Sequence, residues 1–257
     1  MKFKEGLIFL TTNDAKLNIL DELVENGEVI QAIIFPFVAK DESKIDKLIR
    51  FANENNIDYF RPKINNLVEE IKKINPCEFL ITAGYPFILK PEVLSLCKYN
   101  LNVHPTLLPK YRGPNIEWNI IANGEKETGV SVHFLSKLAD KGNIVLQKKV
   151  ELTSFDTISS LLRKTSEIEP ALLLEAMDMV RNGDDGYVQD ETQVSYYPQL
   201  RTPDDSEIDP SKSIEELYNC IRASDPDRFP AFFIKDGEKI GVRLFRVNKP
   251  KNEEDCI

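Results

Sequence analysis

Short apolar runs alternate along the chain with segments whose apolar positions recur at helical spacing. "GLIFLTTND" is a strand-like run that ends in Thr12, Asn13 and Asp14, residue types that favour helix N-caps, and "AKLNILDELVEN" follows with one apolar face. The order recurs in "VIQAIIFPF" followed by "SKIDKLIRFANENN", and the helical "INNLVEEIKKI" leads into "CEFLITAGY". These strand-like runs are apolar at successive positions, which predicts burial on both faces. Strands alternating with helices predict an α/β protein, with a Rossmann-like open, mostly parallel sheet and helices on both faces. Such sheets bind ligands outside the carboxyl ends of their strands, so the loops after Leu10, Ala83 and Val103 are where chemistry is expected.

Farther along, "TGVSVHFL" alternates as a strand, with Val130, Val132 and Phe134 on one face and Ser131, His133 and Leu135 on the other. A long helical pattern from Asp156 to about Val180 contains Pro170, which predicts a kink or a split. "RNGDDGYVQDETQ" is expected to be an exit loop or a short hairpin. After it come "TQVSYYPQL", a helix over Ser213 to Ala223, and two strands, "AFFIKDG" and "EKIGVRLFRV", joined by an Asp236-Gly237 turn. The expected organisation is a catalytic domain over 1–190 and a small C-terminal α+β subdomain over 191–257.

Charge narrows the classes of partner. The 257 residues carry 33 Lys and Arg against 42 Asp and Glu, a formal net charge of −9, which disfavours a nucleic acid held by many phosphate contacts. No G-x-G-x-x-G or P-loop pattern is present to cradle a dinucleotide or nucleotide phosphate. Cys77, Cys97, Cys220 and Cys256 lack the paired short spacings of a zinc or redox motif, so reduced thiols and no metal centre are expected. The apolar run near the start is short for a signal peptide, and no stretch reaches membrane-spanning length. A cytoplasmic protein without a membrane partner is the expectation.

"NVHPTLLPKYRG", Asn102 to Gly113, places one of two histidines at a strand end, beside an asparagine and ahead of proline-fixed backbone. A rigid imidazole with an amide neighbour suits acyl transfer, in which one group manages a proton and another holds a developing oxyanion. No nucleophile elbow is present, so direct attack by a substrate amine is the simpler scheme. Asp140, in the loop of "HFLSKLADKGNI", is a candidate carboxylate to orient the imidazole, with a simple turn role as the alternative. His133, on the same strand face as Ser131, reads as structural.

These blocks, "NVHPTLLPKYRG" and "NGEKETGVSVHFLSKLADKGNIV", closely resemble the formyltransferases that use 10-formyltetrahydrofolate, over roughly residues 5 to 180. The family pattern runs Asn-x-His-x-Ser-Leu-Leu-Pro, a Gly-Glu turn, a Thr-Gly-Val strand and Asp-x-Gly-x-Ile. Thr106 stands at the usual serine and keeps its hydroxyl. The resemblance implies the formyltransferase fold, a catalytic trio of Asn102, His104 and Asp140, and 10-formyltetrahydrofolate as co-substrate without a metal. It implies a folate wall in "TAGYPFIL", with Tyr85, Phe87, Ile88 and Leu89, and an opposite lip at Leu135 to Asp140 that includes Lys137. Without the resemblance, these apolar residues read as plain core. Trp118 and Tyr111 are expected to line the mouth of the site or to cap the helix begun by "NIEWNII".

Among formyl acceptors, the tail discriminates. From Arg201 to Ile257 there are 10 Lys and Arg against 13 Asp and Glu, 10 − 13 = −3, the wrong sign for gripping RNA. "YYPQLRTPDDSEID" is similar to the junction in nucleotide-sugar formyltransferases. The expected acceptor is therefore the amine of a deoxysugar on a nucleotide diphosphate, as in the precursors of lipopolysaccharide O-antigen. Methionyl-tRNA formylation and a non-catalytic binding homologue are the alternatives. Thr11, Asn13, Tyr197 and Arg201 are the candidate substrate contacts, N-capping being the other reading of the first two, and a homodimer is expected from the family.

Overall fold

The protein is described here from a computed structural model, over residues 6–12, 14–37, 45–74, 76–114, 116–197, 202–225, 227, 229–251, 253 and 255–257. Strand β1 (Gly6–Leu10) lies inside the sheet, and all five of its residues are buried. β2 (Ile30–Ile34) and β4 (Cys77–Ala83) flank it in parallel. β3 (Asp58–Phe60) adds to β2, and β5 (Cys97–His104) adds in parallel to β4. β6 (Glu127–Phe134) and β7 (Ile144–Glu151) complete the sheet antiparallel, in the order β3-β2-β1-β4-β5-β6-β7.

The continuous apolar character of the central strands has a direct cause. Leu7 and Phe9 of β1 point into one core layer together with Ile33, Phe79 and Ile81, while Ile8 and Leu10 point into another with Ile34 and Leu80. Burying each such side chain contributes about 1.5–3 kcal/mol, so both layers reward an unbroken apolar run. The first layer receives α1 (Leu17–Glu25), α2 (Asp46–Glu54) and the buried stripe Leu172, Leu173, Ala176, Met177 and Val180 of α7 (Glu169–Arg181). The second is covered by α3 (Leu67–Ile74) and the short α4 (Pro91–Leu94). α5 (Glu117–Ala122) and α6 (Ile158–Ser166) sit over a smaller core with Tyr111 and Leu152. Pro170 falls in the first turn of α7 and separates it from α6, so the long helical pattern is two helices.

Three sequence expectations change. Asp14 does not cap the helix that follows it; its carboxylate accepts from the backbone of Lys47 and Leu48 at the start of α2, at 3.4 and 3.1 Å. Thr12 instead donates to the carbonyl of Gly84 at 2.8 Å, tying the ends of β1 and β4 together. Cys77 and Cys97, expected as free thiols, are joined in a disulfide, because the parallel register of β4 and β5 sets them side by side.

The C-terminal part has its own small core of Ile208, Leu217, Ile221 and Ala231, built on α8 (Ile214–Ala223) and the hairpin of β8 (Ala231–Lys235) and β9 (Glu238–Val242). Asp236 and Gly237 both have positive φ, as a two-residue hairpin turn requires. α8 packs on α5, Arg222 donates to the carbonyl of Asp156 at 2.7 Å, and the amide of Ile257 donates to the carbonyl of Phe155.

Candidate active site

Register brings three side chains into one row. The β4–β5 pairing sets Thr82 beside Asn102, and the β5–β6 pairing sets Asn102 opposite His133. The Thr82 hydroxyl donates to Asn102 Oδ1 at 2.7 Å, and Asn102 Nδ2 lies 3.0 Å from His133 Nε2. His133 Nδ1 lies 2.9 Å from the carbonyl of Phe134, an acceptor only, so Nδ1 carries the hydrogen and Nε2 accepts from Asn102. The carboxamide is thus held from both ends. Its second Nδ2 hydrogen has no partner among the described residues and is free to meet an oxyanion.

Burial holds the His133 imidazole well below its ordinary value, at about 4, with the Asp140 carboxylate pulling the other way. Near neutral pH the ring is uncharged and remains an acceptor for Asn102.

His104 ends β5, and its Nε2 lies 3.0 Å from the carbonyl of Tyr111, so this nitrogen bears the hydrogen. Nδ1 is left as the basic atom, 3.8 Å from Asp140 Oδ1; the same oxygen stands 3.8 Å from His133 Nε2. The loop after His104 is pinned from within and from β6: the Thr106 hydroxyl donates to the carbonyl of Lys110, and the Ser131 hydroxyl donates to the carbonyl of Thr106 at 2.6 Å. Asp140 occupies the left-handed region at φ 53, and its Oδ2 accepts from the amide of Gly113 at 2.9 Å. A side chain at Gly142 would strike the carbonyl of Phe134, so only glycine lets this loop turn back so closely. Asn102 and His104, at the end of β5, and Asp140, in the loop after β6, therefore converge.

Of the residues expected to form the folate wall and its lip, Tyr85 and Leu135 pack against one core layer, and Leu89 is buried inside it. Burial pushes the Tyr85 phenol up to about 12. Phe87 meets Tyr85 edge-on, and Phe87 and Ile88 are exposed beyond it, as are Lys137 and Leu138 on the opposite loop. Thr11 is fully buried at the end of β1, and its hydroxyl has no hydrogen-bond partner among the described residues. Farther along the chain, Lys16 grips both oxygens of the fully buried Glu169 at 2.6 Å. Tyr197 stacks on Tyr111 with rings 5.4 Å apart and receives a hydrogen bond from Asn123. Tyr111 is itself buried, and Trp118 packs in the same core under α5. Asn13 and Arg201 lie outside the described residues. A cavity of about 520 Å³ opens on the far side of Leu107 to Lys110, against Gln147 and Lys149, and touches none of the trio.

Thr82 was invisible to sequence reasoning, and His133 read as structural. Their contact with Asn102 follows from strand register, and the only local signal for Thr82 was a hydroxyl near the end of an otherwise apolar strand.

A formyl transferase family model matches residues 19–177 of this chain. The methionyl-tRNA formyltransferase of Thermodesulfovibrio yellowstonii is 32% identical over 240 residues, covering 90% of this chain and 77% of the relative. Among solved structures, a 4-N formyltransferase from Francisella tularensis superposes with a TM-score of 0.76 at 20% identity, over 93% of this chain and 97% of that one. An N-formyltransferase from Helicobacter canadensis, solved with folinic acid and dTDP-3-aminofucose, superposes with a TM-score of 0.70 at 22% identity, over 92% and 86%. With the trio assembled on this sheet, the chain belongs to the formyl transferase family. It is a formyltransferase.

Proposed function

We propose that the enzyme transfers a formyl group from 10-formyltetrahydrofolate to the amine of a deoxysugar carried on a nucleotide diphosphate. The observation that carries the choice of acceptor is the charge of the C-terminal part, 10 − 13 = −3 over 201–257, the wrong sign for gripping a tRNA backbone. Likeness to the solved sugar N-formyltransferase with a dTDP-linked amino sugar supports the same acceptor. The 32% identity to a methionyl-tRNA formyltransferase favours the second reading, formylation of a charged tRNA.

In this reading the exposed apolar Phe87 and Ile88 suit a flat ring system, Tyr85, Leu89 and Leu135 back that surface, and Lys137 supplies a cation for the glutamyl carboxylates. The substrate amine forms a bond to the formyl carbon, and the carbon's bond to the folate nitrogen then breaks. Asn102 meets the oxyanion with its unspent Nδ2 hydrogen. His104 carries the proton from the amine to the departing nitrogen through Nδ1, where the Asp140 carboxylate steadies the imidazolium. Tyr197, with Asn13 and Arg201, is assigned to the sugar nucleotide, whereas Thr11, expected beside them, is fully buried and has no face to offer it.

The test is a screen of aminated dTDP, UDP and GDP sugars with 10-formyltetrahydrofolate, read by mass for the added formyl group. Formylation of one sugar nucleotide, abolished by His104→Ala with sugar binding retained, supports the proposal. Formylation of methionyl-tRNA, with binding that falls steeply with salt, would replace it.

A further inference from the structure

The segment expected to be an exit loop or a short hairpin leads into a strap, Tyr187 to Tyr196, that ties the loop after His104 to the loop of Asp140. It pairs with the start of β7 at Tyr187, opposite Ile144, and with Arg112 at Tyr196. Between these points Gln189 is buried, and its carboxamide is fully used. Nε2 donates to the carbonyls of Asp140 at 2.8 Å and Gly142 at 2.7 Å. Oε1 accepts from Arg112 Nη2 at 2.6 Å and Nε at 3.1 Å. Arg112 belongs to the loop that follows His104, is 2% exposed, and also holds Glu191, which pairs in turn with Lys141 beside Asp140. Gln189 thus bridges the His104 loop and the Asp140 loop through one side chain.

We propose that Gln189, backed by Arg112, is a positioning residue that sets the Asp140 carboxylate against His104 and His133. The inference rests on the formyl-transfer reading of the site. Asp140 sits in the left-handed region, a sparsely populated conformation, and Gln189 holds that residue's own carbonyl together with the carbonyl of Gly142, two residues on. Sequence spacing gives no hint of this role, because 49 residues separate Gln189 from Asp140.

Gln189→Glu separates the two halves of the bridge. The carboxylate still accepts from Arg112 but turns an acceptor, in place of two donors, toward the carbonyls of Asp140 and Gly142. The expected result is a kcat lower by about tenfold to a hundredfold, with KM for both substrates within about threefold. In an Asp140→Ala background the same change should cost less than about twofold, because the carboxylate it positions is gone. Independently of turnover, the Gly113 amide, which donates to Asp140 Oδ2, should exchange its hydrogen about tenfold faster or more. An unchanged kcat, a full loss repeated in the Asp140→Ala background, or unchanged Gly113 exchange overturns the inference. Should Gln189→Glu fail to fold, Gln189→Asn, one methylene too short to span both sides, takes the same readouts. If the unmodified chain formylates no amine, the functional reading fails by itself, and Gly113 exchange decides this inference.

Discussion

Thr82→Val tests the row of side chains that holds Asn102. The substitution keeps shape and volume and removes one hydroxyl, whose hydrogen bond to Asn102 Oδ1 is 2.7 Å long. Thr82 is 3% exposed, so water has little access to replace the donor, and an acceptor is left unsatisfied. That loss costs about 1–3 kcal/mol of stability. For a chain of this size each kcal/mol moves the melting midpoint by about 2–4 °C, so a fall of about 2–12 °C is expected. Catalysis should lose more than stability alone explains. A complete oxyanion donor is worth about a hundredfold to a thousandfold, and Asn102 would keep its tether to His133 while losing the other, so kcat should fall about tenfold. Steady-state kinetics on protein shown to be folded, beside a thermal melt, separates the two effects. A kcat within about twofold of the unmodified enzyme, with the melting midpoint lowered as expected, would refute the idea that Thr82 orients the catalytic amide.

Other outcomes follow from the same geometry. Asp140→Asn keeps the side-chain shape and removes the charge facing His104 Nδ1, so kcat should drop by about a hundredfold with the near-UV circular dichroism unchanged. His133 is buried neutral, with its folded value near 4 against an ordinary 6.5, so between these pH values the unfolded chain binds the extra proton. Stability should therefore rise with pH across that window and fall as pH drops through it, by up to about 3 kcal/mol, and urea midpoints for the unmodified chain and for His133→Gln should show the slope flattened in the variant. Lys16→Met strands the Glu169 carboxylate in a fully buried place and should cost about 3–5 kcal/mol in denaturant unfolding, with Glu169→Gln added to it restoring part of the loss.

Much of the fold was legible because its causes are local. The runs at β1 and β4 are apolar at every step since each is buried on both faces, and the turn at Asp236-Gly237 and the capping box of Ser213 with Glu216 announce their elements within a few residues. β3 was not legible, because its three residues are exposed or half-buried and carry no pattern, and Asp14 gave a false local signal by capping a helix 33 residues away. Asn102 and His104 could be singled out from one short stretch, where proline and strand end advertise a rigid site. Asp140 could be named as a candidate carboxylate but read equally as a turn residue until the resemblance set it beside the other two, since a lone aspartate in a loop has no periodicity to betray its role.

By itself, the sequence determined the layered α/β architecture, the strand ends proposed to hold the site, and the residue types available there. Tertiary structure alone decided which atoms face each other: that Thr82 and His133 lock the Asn102 amide, that His104 turns Nδ1 to Asp140, that Cys77 meets Cys97, and that Gln189 joins two loops. The physical reason is that hydrophobic periodicity encodes which face of an element is buried, whereas hydrogen-bond partners depend on the register of strands distant in the chain. Register emerges only when the whole core packs.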